Sequence, residues 1–271
     1  MPELPDVEGF RRVAAEHVIG RRVTSVRVHD ASVVQGVSAR RFRELLRGRH
    51  VGQPRRHGKW LLLPTSGSAA GEGDGLPCLM VHFGMTGMLL WCSVDADPHQ
   101  HDRVVLVFTD GELRYRDMRK LKGMVLARSE VDVEAVLGEL GPDAGQVSRA
   151  DLRDRLTRTR RQLKSALMDQ SRIAGLGNLT VDETLWRARL HPQRTTKELD
   201  ESQWKSLYRA MRFVLRESSA AGLVPDRPSW LTGHRDDADG RCPRCSTTLR
   251  HQQIGGRTTV WCPHCQSRPQ G

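Results

Sequence analysis

The sequence predicts an α+β protein: an N-terminal helix with antiparallel strands, then a run of helices, then a short hairpin bearing cysteines. Three observations predict it. Short apolar runs of strand length, separated by turn residues, fill positions 20 to about 130. From about 132 the apolar residues recur instead at helical spacing. Four of the six cysteines crowd into the last 30 residues of the 271. With 38% hydrophobic residues the chain is long enough to bury a sizeable core.

Taken in order, residues 3–18 read as an amphipathic helix with Val7, Phe10, Val13 and Ala14 on one face. RRVTSVRVHD is a strand, and Ser38 caps a helix, ARRFRELLRG, that ends on Gly48. KWLLL is a strand, TSGSAAGEGDG a flexible loop, and PCLMVHF, GMLLWC, RVVLVF and ELRYRD are further strands. Thr109-Asp110-Gly111 joins the last two as a hairpin turn. These strands make an antiparallel sandwich or barrel behind the first helix. Helices follow at 132–140, 148–157, 159–169, 178–188 and 199–218, and the turn-rich stretch 220–241 leads into the cysteine hairpin.

The chain carries 43 Lys and Arg against 32 Asp and Glu, a formal charge of +11. Nearly all the positive charge is arginine; the only lysines are Lys59, Lys120, Lys122, Lys164, Lys197 and Lys205. A base-composition bias explains that ratio but not the excess over acid, which is what a polyanionic partner requires. The longest apolar runs, Trp60 to Leu63 and Met88 to Cys92, are far below the roughly 20 residues of a membrane span. The acid-bearing start MPELPDVEGFRR has no apolar core of a secretory signal. The expectation is a soluble intracellular protein that meets a polyanion.

Cys242, Cys245, Cys262 and Cys265 are spaced C-x2-C-x16-C-x2-C. Each CxxC knuckle aims two thiolates at one point, and the intervening residues suffice for a returning β-hairpin. Four soft thiolates in a tetrahedron select one structural Zn²⁺ with no open position for catalysis. Paired disulfides are the alternative, disfavoured in a cytosolic protein. Gly255-Gly256 supplies the hairpin turn, and Arg257 directly after it is either a solvated turn residue or a cation laid against phosphate. Cys78 and Cys92 lie in apolar runs and read as buried thiols.

Five further constellations carry chemistry. Removal of Met1 would leave Pro2 with a free secondary amine, able to attack an aldehyde-like sugar carbon, beside Glu3 as proton donor and acceptor. N-terminal prolines also occur with no such role. Lys59 sits between an arginine cluster and a strand, where a lysine is ordinarily solvated. Met85 lies in a tight Gly84–Gly87 loop, ordinarily a core filler. Arg119, Lys120 and Lys122 surround Leu121 on a hairpin tip, a pattern suited to a wedge in the DNA minor groove. Gly175 and Gly177 form a tight turn, Asn178 caps the next helix, and the free N–H groups there make an anion site.

In this order along essentially the whole chain, MPELPDVE, RRHGKWLLL, HFGMTG, RDMRK, LMDQ, GLGN, DETLW, HP and the cysteine pattern resemble the formamidopyrimidine-DNA glycosylase / endonuclease VIII family of base-excision repair enzymes. The resemblance implies a catalytic β-sandwich domain (1–131), a helix–two-turn–helix domain (132–235) and a zinc ribbon (236–271), with DNA between the first two. It implies Pro2 as nucleophile, Glu3 as proton donor and Lys59 as a catalytic DNA contact. Met85, Arg119 and Leu121 match the family's void-filling residues, and Lys164, Asn178 and Arg257 its phosphate contacts. The implied partner is damaged double-stranded DNA, bound by a monomer in the bacterial cytoplasm, in use on the nucleoid and at no membrane.

Three departures stand out. Asp6 replaces a common Glu, Leu121 stands where the purine-repair branch has Phe in an RRFG motif, and the segment before Cys242 is short. The PELP start points to that branch and the loop away from it, which leaves the lesion open. Two other classes remain in view: a non-catalytic damaged-DNA-binding zinc protein of the same fold, and an N-terminal-proline tautomerase. The tautomerase has no use for +11 charge or a zinc ribbon.

Overall fold

The computed structural model describes residues 1–67, 75–158 and 160–268. It resolves into two compact units: Met1–Pro2 with Asp6–Glu139, and Glu3–Pro5 with Leu140–Gly271. Helix α1 spans Leu4–Val18.

The first unit is the expected sandwich. One sheet has four strands, in the order β1 (Ser25–Val28), β8 (Asp102–Val107), β9 (Glu112–Arg116) and β7 (Met88–Cys92). The other has six: β2 (Val34–Gln35), β10 (Gly123–Ala127), β6 (Cys78–His82), β5 (Trp60–Ser66) and β3 (His50–Val51), with β4 (Arg55–His57) also pairing β5. All pairings are antiparallel except β2 with β10. Helix α2 (Ala39–Leu46) starts on Ser38, whose hydroxyl accepts from Arg41 N as expected of a cap.

Alternation along β5 explains its unbroken apolar run. Leu61 and Leu63 join Val7, Ala14 and Val18 of α1 and the facing sheet's Leu89, Val104 and Leu106 in the main core. Leu62, on the opposite face, packs with Cys78, Met80 and Ala127 against Val133, Val136 and Leu137. Those last three lie on α3 (Glu130–Leu137), opened by a capping box between Ser129 and Asp132. A sheet covered on both faces has no polar side to show, so its strands read as continuous apolar stretches. The helix expected at 132–140 is therefore this one, and it belongs to the first unit.

The second unit packs α4 (Arg149–Thr157), α5 (Leu163–Leu167), α6 (Asn178–Ala188) and α7 (Glu201–Ala221) around Leu152, Leu163, Leu167, Leu185, Trp204 and Leu207. Leu4 enters this core, and its N–H donates to Gly175 O. The hairpin β11 (Arg250–Ile254) and β12 (Arg257–Trp261) groups with these helices, its Leu249 and Val260 packing on Trp186.

Three expectations are corrected. The helix expected at 159–169 shrinks to α5, because Leu163 N and Lys164 N donate to Arg194 O and Pro192 O rather than inward along a helix; residue 159 lies outside the described residues. Asn178 is not the cap of α6; Gly177 holds that place and Asn178 opens the first turn. Strand RRVTSVRVHD narrows to β1. Of the loop expected at 65–75, residues 68–74 lie outside the described residues.

Candidate functional site

Pro2 is half-buried, and Glu3 beside it is 1% exposed. The Glu3 carboxylate sits on the start of α6: Oε1 accepts from Leu179 N at 2.8 Å, and Oε2 from Thr180 N at 3.0 Å and Thr180 Oγ1 at 2.6 Å. The anion site expected at this helix start therefore exists, and its occupant is the protein's own Glu3. Orphan N–H groups at a helix start hold a carboxylate well, so the side chain next to Pro2 has one fixed orientation. The two glycines of GLGN answer to the same approach. A Cβ on Gly177 would lie 2.3 Å from Glu3 Cδ, and one on Gly175, at φ +112°, 2.6 Å from Leu4 Cδ1.

In the first unit, Lys59 follows Gly58 in the two-residue turn between β4 and β5 and is largely buried. Arg56 braces the turn, donating to Gly58 O at 3.0 Å and to Glu8 at 3.2 Å. His82 lies across from Trp60 in the β5–β6 register. Burial, with Lys122 and Lys59 adding repulsion, pushes His82 down to about 4, so it is neutral at pH 7. Its Nδ1 accepts from Gly84 N at 3.0 Å and thereby anchors the loop that carries Met85.

That loop meets the 117–122 tip. A Cβ on Gly84 would lie 3.7 Å from Leu121 Cβ, and Arg119 Nη1 donates to Met85 Sδ at 3.0 Å. Arg119 N is fixed by Thr86 Oγ1 and Asp117 Oδ1 at 3.0 and 3.1 Å. Met85, Met118 and Leu121 are 41, 56 and 50% exposed, three large apolar side chains on a surface made of two touching loops. The structure thus brings Met85, Arg119 and Leu121 together as the sequence suggested and adds Met118. Met85 is no core filler.

In the second unit, the expectation that Lys164 meets phosphate directly is corrected. Lys164 is fully buried, its Nζ 2.7 Å from Asp182 Oδ1 and 3.2 Å from Thr258 O. Burial pushes its pKa below the usual lysine range, and Asp182 pulls it back. Asp182 also accepts from Arg235 Nη1 and, at 3.1 Å, from Val260 N. Thr258 O takes three donors: Lys164, Arg235 Nη2 at 3.0 Å and Asn178 Nδ2 at 2.9 Å. So α5, α6, β12 and the Arg235 segment are joined through one carboxylate and one carbonyl. Arg257, the residue before Thr258, is exposed. Sequence reading quoted Asp182 within DETLW without giving it a role and missed Arg235, since neither the acid's partners nor one arginine among many carries a local signal.

Near the end of the chain the Sγ atoms of Cys242, Cys245, Cys262 and Cys265 lie within 4.8 Å of one another. Separations such as 3.9 Å (Cys242–Cys265) and 3.5 Å (Cys245–Cys262) fit thiolates around one ion with bonds of about 2.3 Å. Trp186 Nε1 donates to Cys242 Sγ at 3.3 Å, and Cys265 N to Cys262 Sγ at 3.3 Å. These four residues hold one structural Zn²⁺, which fixes the hairpin fold and takes no part in chemistry. Cys78 is buried and Cys92 partly so, in keeping with apolar thiols.

Comparison with known proteins agrees along the chain. Residues 1–124 match the formamidopyrimidine-DNA glycosylase N-terminal domain, 140–224 its H2TH domain, and 240–268 the zinc finger found in FPG and IleRS. The formamidopyrimidine-DNA glycosylase of Parafrankia sp. is 36% identical, covering 99% of each chain, and that of Desulfitobacterium hafniense is 33% identical, covering 98% of this chain and all of the relative. The Lactococcus lactis Fpg solved with a Fapy-dG containing DNA superposes with a TM-score of 0.86 at 26% identity over 98% of this chain and all of that one. The same bacterium's Fpg with an abasic site containing DNA gives 0.84 at 27% identity, with the same coverage.

The fold and the matched domains are those of a DNA N-glycosylase/AP lyase of base-excision repair. The chain belongs to the formamidopyrimidine-DNA glycosylase family. Among the described residues no helix is long and apolar enough to cross a membrane.

Proposed function

We propose that this protein excises an oxidised base from double-stranded DNA and nicks the strand, with the amine of Pro2, freed by removal of Met1, as nucleophile. The observation that carries the reading is the Glu3 carboxylate, adjacent to that amine and fixed by three donors of the α6 start. Pro2 N bonds to C1′ while the N-glycosidic bond breaks and the base leaves with the bonding electrons and a proton. The Pro2 N–H proton passes to O4′ as the C1′–O4′ bond breaks, and the ring-opened sugar carries an iminium at C1′, an electron sink that acidifies C2′. Loss of the C2′ proton expels the 3′-phosphate; a second elimination expels the 5′-phosphate, and hydrolysis frees Pro2. Glu3 moves the protons.

Binding roles divide by what each side chain offers. Lys59 contacts the strand near the lesion. Met85, Arg119 and Leu121 fill the space left by the flipped nucleotide. Asn178 and Arg257 grip phosphate, and Lys164 supports them from beneath as a positioning residue. The division into a catalytic domain, a helical domain and a ribbon (236–271) follows the same roles, with the first boundary moved from 131 to Glu139 because α3 packs on the first unit, and the protein works as a monomer on the nucleoid in the cytoplasm.

Duplexes each carrying 8-oxoguanine, formamidopyrimidine, thymine glycol, dihydrouracil or an abasic site test this. Processed protein should incise the abasic duplex, leaving phosphate at both ends of the gap, together with at least one of the oxidised bases. Binding to these duplexes with incision of none would instead make it a non-catalytic damage-binding protein.

A further inference from the structure

The hairpin turn Gly255-Gly256, with φ +57° and +72°, comes down on α5: a Cβ on Gly255 would lie 2.7 Å from Ser165 Oγ. Between turn and helix runs an open groove of about 600 Å³, lined by Arg161, Gln162, Ser165, Met168, Asp169 and Ile254, with Arg257 and Gly255 completing the turn side. Its two walls thus carry one arginine each. Asp169 is the one acid of the lining, and its charge is already countered by Arg161 at 2.9 Å and Arg172 at 3.5 Å, with Ser171 donating to it as well. The Asp169 pair also holds the Arg161 guanidinium at the groove rather than letting it sweep through solvent.

Neither wall is free to drift. The turn side is fixed one residue beyond Arg257, where Thr258 O takes its three donors, and again where Asp182 accepts from Val260 N. The helix side carries Lys164, locked into the same ionic cluster next to Ser165. A groove with a guanidinium on each wall, a hydroxyl and an amide on its helix side and a net positive lining selects a tetrahedral oxyanion.

We propose that this groove is a phosphodiester subsite, in which Arg161 and Ser165 hold from the helix side the DNA backbone that Arg257 holds from the ribbon. The inference rests on the proposed action on DNA and adds Arg161, Ser165 and the groove to the residues that perform it. It follows that the ribbon turn and α5 act as one clamp, so that losing either arginine lowers the worth of the other.

Binding to a duplex carrying a stable tetrahydrofuran abasic analogue, measured across a salt series, tests it. Each lost phosphate contact lowers the slope of log K against log salt by about 0.9. Arg161→Ala should show that drop together with weaker binding at every salt concentration, and Arg161→Lys should restore part of both. Arg161→Ala with Arg257→Ala should weaken binding by less than the product of the two single effects. An unchanged affinity and slope for Arg161→Ala, alongside a clear drop for Arg257→Ala, would overturn the groove and leave the action on DNA standing. Failure of the unaltered protein to bind the duplex would overturn both. Arg161 is 59% exposed, so its removal leaves the fold intact.

Discussion

The loops proposed as a wedge in the first unit and the ribbon support of the second are built on opposite principles. The wedge exposes what a soluble surface ordinarily hides: Met85, Met118 and Leu121 stand in solvent on two loops held by hydrogen bonds at Gly84 and Arg119. The ribbon support hides what a surface ordinarily shows, a lysine, an aspartate and an arginine, none more than 6% exposed. A group that enters a gap in DNA must be bare beforehand. A group that meets phosphate needs a fixed position, and buried paired charges supply one because every departure leaves a charge unsolvated. Lys164 and Arg257 illustrate the difference within one unit: similar charges, one holding the strand and the other carried by it.

The contrast can be broken first at Asp182. Asp182→Ala leaves Lys164 and Arg235 buried without their carboxylate, and the loss should be about 3–5 kcal/mol, measured by chemical unfolding. A loss below about 1 kcal/mol would mean that the buried ionic cluster does not hold the ribbon. Leu121→Ala should do the reverse. Stability should change by no more than about 0.5 kcal/mol, while single-turnover base excision slows about tenfold, or 1.4 kcal/mol of wedge. Equal losses of stability at the two sites would erase the distinction.

A third effect is one of pH. The folded-state value of His82, about 4, lies below the ordinary 6.5, so the unfolded chain takes up that proton more readily. Its contribution to stability is complete above pH 6.5 and fades as pH falls toward 4. His82→Gln should flatten that part of the stability profile, read by thermal unfolding from pH 7 to 4, and should loosen the Met85 loop. A profile identical to the unaltered protein's would remove His82 as the anchor.

Much of this was legible in the sequence because its signals are local. The cysteine spacing, the short apolar runs that mark the sandwich and the proline-glutamate start are each local. What was not legible depends on contacts far apart in the chain. Gly175 and Gly177 read as a turn, yet their reason is Leu4 and Glu3, more than 170 positions earlier. Asn178 reads as a cap because its residue type favours that place; Gly177 takes it since no side chain fits beside Glu3. Lys164 reads as a surface cation because nothing nearby reveals Asp182 or Thr258. The helix expected at 159–169 is cut short by carbonyls of residues 192 and 194, which periodicity cannot foresee.

The central claim, that the amine of Pro2 performs the chemistry, is tested most directly by borohydride trapping on an abasic duplex. Protein with Met1 removed should give a covalent protein–DNA adduct, and Pro2→Gly should lose it while still binding the duplex. No adduct from correctly processed protein, or an adduct that persists undiminished in Pro2→Gly, would contradict the account.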